Sequence, residues 1–196
     1  MAPRTTSAPS STRRRRADAE RSITRILEAA LDALVSDPDA SMAEIARGAG
    51  VVRATIYVHF PDRETLLTAV TDRAISDVAE VIKEAEPARG DPAEALGRVV
   101  TAAWRRLGRF HALVAINTRL PQAELHRLHL PVLKQLQPLI ERGQKDSVFR
   151  AGVSPAWHLS MLLAIVHAAS AELRAGRASE DAIEAAVVET VLGAVS

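Results

Sequence analysis

Apolar side chains recur every three or four residues through most of this chain, and short proline-, glycine-, serine- and aspartate-rich breaks separate the stretches that carry the pattern. That spacing is the signature of amphipathic helices, and no alternating stretch is long enough to make a strand that matters. Ile23, Ile26, Leu27, Ala30, Leu31 and Leu34 predict a first helix from about Asp18 to Val35, which Ser36-Asp37-Pro38-Asp39-Ala40 breaks. Two short helices follow within Ser41–Arg63. A longer one, from about Arg63 to Glu86, carries Leu66, Leu67, Val70, Ala74, Val78 and Val81 and is long enough to be a rigid link. Asp91-Pro92 opens another, with Leu96, Val99, Val100, Ala103, Trp104 and Leu107 inward, and Gly108 to Leu120 predicts a short one. The segment Gln122 to Gly143 is helical by pattern, but Pro131 and Pro138 predict a kink or two pieces. Ser154-Pro155 starts a helix to about Ala175 that is apolar on nearly every side, and Ser179 caps a last one to about Val195. The expected fold is all-α, with about nine helices.

The region from Ser41 to Arg63 reads as helix, tight turn, helix. Ser41 with Glu44 three residues on makes a capping box, and Gly50 supplies a left-handed residue past the end of the first helix. Val51 plugs the corner. Ile56 and Phe60 form the apolar back of the second helix, which Pro61 limits, while Arg53, Thr55, Tyr57 and His59 form its polar front. A short helix with such a front suits the major groove of B-DNA.

Ala46–Val51, read as A-x-x-A-G-V, followed by Thr55–Leu67, read as T-I-Y-x-H-F-P-D-R-E-x-L-L, resembles the helix-turn-helix of the TetR family of transcriptional regulators. The resemblance is specific over about residues 20–70. It implies that Arg53, Ala54 and Thr55 read base edges, that Tyr57 and His59 touch phosphates, and that Arg63 stands where the family usually has lysine. Val52 departs from the small polar residue common at the head of the recognition helix, so Ser41 or Thr55 carries more of the positioning. The resemblance also implies a homodimer on a roughly palindromic double-stranded site, repression released by a small molecule, and a cytoplasmic location. A DNA binder that activates or answers to no ligand is the alternative, followed by a helical interaction protein that has lost DNA binding.

Composition narrows the remaining choices. Of 196 residues, 47% are hydrophobic and only 3% aromatic, so the core must be aliphatic. Net charge is +1, but residues 1–25 hold seven arginines against Asp18 and Glu20, a local excess of five (7 − 2). Residues 1–16 lack Leu, Ile, Val and Phe and are expected to be a disordered basic arm, either following DNA phosphates or attracting them non-specifically. There is no cysteine, which removes disulfides, thiolate metal sites and thiol redox sensing. No run of about eighteen apolar residues occurs, so no membrane span is expected. Glu124, His126 and His129 have the wrong helical spacing for a metal centre, and no phosphate loop, nucleophile elbow or catalytic triad stands out. No metal, cofactor or enzymatic activity is expected.

These readings divide the chain into an arm over residues 1–17, a DNA-binding unit over 18–63 with its motif at 42–61, and a helical ligand-binding and dimerisation domain over 64–196. The last two helices are assigned to the dimer, with Ala164, Ala168 and Ala171 permitting close approach. An effector pocket of the kind the family encloses is expected to draw on Trp104, Phe110, His111, Asn117, Trp157, Met161 and His167, aromatic and polar groups on aliphatic faces.

Overall fold

The computed structural model describes residues 10–111, 113–114 and 122–196. Among them are eight α-helices and a 3-10 turn, with no strand: α1 Ser10–Ser36, α2 Met42–Gly48, α3 Arg53–His59, α4 Arg63–Glu84, α5 Pro92–Leu107, the turn Gly108–Phe110, α6 Gln122–Lys145, α7 Pro155–Arg174 and α8 Glu180–Val195. Two compact units emerge, residues 1–70 and 71–196. His111, Leu113 and Val114 are helical, and the rest of the helix expected up to Leu120 lies outside the described residues, as do residues 1–9 of the arm.

Unit 1 is organised on α1, whose buried Ile26, Ala30, Leu31 and Leu34 face α2 with its buried Met42, Ile45 and Ala46, and α3, with Ile56 buried, packs on α2 in turn. Helix α1 starts at Ser10, eight residues before the expected Asp18. Arginine is a good helix former, and Arg16 pairs with Glu20 one turn on, so the helix continues over Arg13–Arg16 without any core beneath it. Those four arginines are exposed.

Unit 2 closes around Ile82, Leu96, Val99, Trp104, Leu139, Ile140 and Val191, all almost fully buried. Its loops are tied by arginine forks. Arg142 donates to the carbonyls of Gly90 (2.7 Å) and Pro87 (3.0 Å), and Arg98 donates to that of Arg89 at 2.7 Å. Arg105 on α5 meets Glu184 on α8 through Nη2 at 2.7 Å and Nε at 3.0 Å. Helix α6 is one element, not the two pieces that were an option for its prolines. Pro131 and Pro138 both sit on its exposed side, where water can reach the carbonyls of Arg127 and Lys134 that they leave without a donor.

Helix α7 is long and apolar enough to cross a membrane by length and composition, contrary to the expectation from apolar runs alone. Its alanines and leucines outweigh a few scattered polar residues. Its buried residues include His158, Leu159, Leu162 and Ser170, whereas Trp157, Ser160, Ala164 and Ala168 form an exposed stripe.

Among the described glycines, the one most tightly covered lies near the end of α6. Ser147 takes φ 58°, Val148 and Phe149 both donate to the Gly143 carbonyl at 2.9 Å, and the Phe149 ring lies against Gly143. A β-carbon at residue 143 would stand 2.0 Å from Phe149 Cδ2. Gly143→Ala is therefore expected to destabilise the protein by about 1–3 kcal/mol despite alanine's better helix propensity. Denaturant unfolding reads this, and adding Phe149→Leu to the Gly143→Ala protein should recover part of the loss.

Candidate nucleic-acid interface and apolar cavity

Two seven-residue helices cannot stand alone, so the interface depends on how their ends are closed. At the start of α2 the Ser41 backbone N–H donates to Glu44 Oε2 at 2.8 Å, the Ser41 hydroxyl donates to the same oxygen at 2.6 Å, and the Glu44 N–H donates back to Ser41 Oγ at 3.3 Å. These bonds to Ser41 hold the Glu44 carboxyl below its ordinary pKa. At the far end Gly50 takes φ 64°. Its N–H donates to Arg47 O at 3.1 Å and that of Val51 donates to Ala46 O at 3.0 Å. This pair of bonds is a Schellman turn, which forces the chain into α3 at a defined angle.

Helix α3 buries Ile56, and Phe60 follows it inward. Arg53, Ala54, Tyr57 and Val58 face solvent, while Thr55 and His59 are half-buried. The Arg53 guanidinium lies 5.6 Å from the centre of the Tyr57 ring. Val58 is 79% exposed and Val52 is 70% exposed, which makes them the most exposed large aliphatic side chains described. Reading alternate residues as the front of α3 missed Val58. In a 3.6-residue period, positions 53, 54, 57 and 58 share the outer face. Val52 sits at the N-cap with no side-chain bond to the helix, in line with its departure from the small polar residue expected there. Arg63 is half-buried, and its Nη2 donates to the Pro38 carbonyl at 2.6 Å, so its fork fastens the α1–α2 loop. Asp62 caps α4 through the Thr65 N–H at 2.7 Å.

Unit 2 contains an apolar cavity of about 110 Å³ walled by α4 from Thr71 on, α5, α6, α7 and the residues after α5. Two of the seven candidate residues, Phe110 and His167, line it. Trp104 and His111 pack on each other instead, with ring centres 4.9 Å apart. His111 Nδ1 donates to Ser170 Oγ at 3.1 Å, because the Ser170 hydroxyl already donates to Val166 O at 2.9 Å. Trp104 Nε1 and His111 Nε2 are buried and lack a hydrogen-bond partner among the described residues. Met161 is half-buried against the core. Trp157 is 61% exposed and outside the cavity, since it lies on the opposite face of α7 from Leu159 and Leu162. Asn117 lies outside the described residues. A residue read only for its helical spacing, His129, is the cavity's second histidine. Its ring centre is 5.5 Å from that of His167, edge to face. No group of three metal-binding side chains occurs among the described residues.

Residues 26–70 match the family model for bacterial regulatory proteins of the tetR family. The N-terminal unit is a TetR-family helix-turn-helix domain. Over 82 residues the chain is 39% identical to the HTH-type transcriptional repressor LfrR of Mycolicibacterium smegmatis, a match covering 41% of this chain and 43% of that protein. The chain thus spans less than half the length of that relative. Its match to the HTH-type transcriptional regulator NfxB of Pseudomonas aeruginosa is longer, 26% identical over 161 residues, 79% of this chain and 84% of NfxB. Both relatives are transcriptional regulators.

Beyond the TetR domain the fold itself carries the likeness. The crystal structure of the TetR-like regulator LfrR from Mycobacterium smegmatis with proflavine aligns with TM-score 0.71 at 24% identity, covering 90% of this chain and 97% of that one. FadR from Bacillus subtilis with stearoyl-CoA aligns with TM-score 0.72 at 18% identity, covering 88% and 99%.

Two predictions follow from this geometry. Val52→Ser gives α3 of the TetR domain a side-chain cap where it has none and removes little buried surface. It should raise stability by about 0.5–2 kcal/mol in thermal unfolding. The second concerns acid. Burial lowers the pKa of His111, His129 and His167, the last from 6.5 to about 4. Between those values the unfolded chain binds protons that the folded chain does not, so stability rises with pH. It should be undiminished above about pH 6.5 and fall steadily toward pH 4. His167→Gln should flatten that slope in unfolding curves recorded from pH 7.5 to 4.5.

Proposed function

We propose that the chain is a homodimeric transcriptional repressor that grips a roughly palindromic double-stranded site and releases it when a small apolar molecule enters the cavity of unit 2. The observation that carries this reading is the outer face of α3. A cation, a phenol and an aliphatic tip stand together on a helix whose angle to α2 is set by a glycine turn. Nothing in the core of unit 1 requires those side chains, and the major groove of B-DNA does. Arg53, Ala54 and Thr55 read base edges, Tyr57 and His59 meet phosphates, and Val58 packs on a thymine methyl. Ser41 acts through the α2 cap it forms with Glu44, and Arg63 acts mainly through the loop it holds, its charge adding attraction for phosphate. The exposed arginines at the start of α1 add counterion release, so deleting residues 1–16 should flatten the salt dependence of binding.

The second half of the proposal rests on α7 and α8. Trp157, Ala164 and Ala168 leave α7 with an apolar stripe that no described residue covers, and Ala182, Ala185 and Ala186 continue exposed small residues on α8. Two copies of this hairpin would cover each other as a two-fold four-helix interface. That partner suits the stripe better than a bilayer, because the other side of α7 already packs on the protein core. The ligand role of unit 2 is supported by its cavity and by the proflavine and stearoyl-CoA complexes of the two fold relatives. A ligand that favours one state of the dimer shifts DNA affinity by its differential binding.

Gel shift with the DNA upstream of the chain's own coding region tests the DNA half. Arg53→Ala and Thr55→Ala should each lower specific affinity by about 1–3 kcal/mol without changing the circular dichroism spectrum. Operator binding equal to the parent's in both variants would remove α3 from the groove. Ala168→Asp should yield monomers in light scattering and lose operator binding. A monomeric parent that still binds a palindrome tightly at micromolar concentration would refute the dimer.

A further inference from the structure

We propose that the unit 2 cavity takes a small lipophilic anion, a monocarboxylate on a single ring or short chain, whose charged end meets the His129–His167 pair. The inference rests on the reading of that cavity as the effector site and adds the chemical class of its occupant. Size comes first. The cavity holds about 110 Å³, a little less than the roughly 150 Å³ apolar cavity that accommodates benzene. Almost every lining side chain is aliphatic; Thr71 and the two histidines are the polar exceptions.

Charge decides the class. No aspartate or glutamate lines the cavity. Between Glu94 and Glu124 the sequence has five arginines and no acid, and between Asp146 and Glu172 it has no acid at all. On α4, which supplies another wall, Asp77 is held by Arg106 at 2.6 Å and by Arg73 at 3.0 Å, and it does not reach the lining. A cation in this space would be desolvated without a counter-charge, which is prohibitive.

The histidines offer the complementary chemistry. His129 Nδ1 lies 2.8 Å from the Leu125 carbonyl, to which it donates, so in the neutral ring Nε2 is an acceptor. His167 packs edge to face on His129 and has no hydrogen-bond partner among the described residues. Besides each other, the titratable group that faces the pair is His126, one turn before His129 on α6; α4, α5 and α7 present no carboxylate to either ring. Burial lowers the pKa of both imidazoles and so favours their uncharged forms in the cavity. A carboxylate entering there brings one proton with it from solvent. The proton is shared between the carboxylate oxygen and an imidazole nitrogen, so that the bound pair is neutral overall whichever atom holds it. A neutral alcohol of the same size gains only an ordinary hydrogen bond, and an amine gains no partner charge.

The test uses the full chain and three matched probes, phenylacetate, 2-phenylethanol and phenethylamine, in calorimetric titrations at pH 7 in two buffers of different ionisation enthalpy. Phenylacetate should bind at least about tenfold more tightly than the alcohol, with the amine weakest. The buffer comparison should show about one proton taken up per phenylacetate. His167→Gln and His129→Gln should each weaken the acid more than the alcohol and remove the proton uptake that accompanies the acid, an outcome that general damage to the cavity would not give. Equal binding of acid and alcohol, tighter binding of the amine, or no proton uptake overturns the anion assignment and leaves the cavity as an effector site. No binding by any of the three overturns both.

Discussion

A seven-residue helix leaves its first N–H groups and last carbonyls without internal partners, and α2 and α3 between them consist of little else. What makes them a unit is the closure of those ends. The Ser41–Glu44 reciprocal bonds satisfy donors at the entrance to α2. The left-handed Gly50 returns two carbonyls to the chain at its exit, and Ile56 and Phe60 then have only one place to go. Each contribution is about a kilocalorie or two at most. Their effect is geometric, because together they leave one angle between the helices and thereby decide which four side chains of α3 face outward.

The same accounting explains why unit 2 tolerates so few aromatic residues. Aliphatic helices pack through many small contacts, so their loops need holding by something directional. Arginine forks onto backbone carbonyls do this at Gly90, Pro87 and Arg89. Such bonds to charged donors are stronger than neutral ones and stay accessible to water, so they escape the penalty of buried ion pairs.

Much of this was legible in the residues because helix borders are local chemistry. Serine or aspartate caps at 41, 91, 154 and 179 and the glycines at 50 and 176 stand where sequence alone puts them. What could not be read is phase. A helix of two turns offers too few residues to tell Val58 from His59 as the outward one. In a helix that is apolar all round, nothing local says which side holds the core, so spacing alone does not show that Trp157 faces away from the cavity. Pro131 and Pro138 do not split α6, since the cost of a missing donor depends on whether water reaches the freed carbonyl. The early start of α1 is propensity unsupported by burial, which an argument from hydrophobic cores alone does not see. The His129–His167 pair was invisible for another reason: it joins two helices far apart in sequence.

The scarcity of aromatics has a photophysical consequence. The chain has two tryptophans, and the structure places them in opposite circumstances. Trp104 is sealed in unit 2 with its indole ring against His111, an environment that shifts emission to the blue and lets a protonated imidazole quench it. Trp157 stands in water on the bare stripe of α7, where it emits to the red and would move blue on being covered. The protein's intrinsic fluorescence is therefore already a two-channel signal, one colour for the interior of the helical unit and one for its exposed flank.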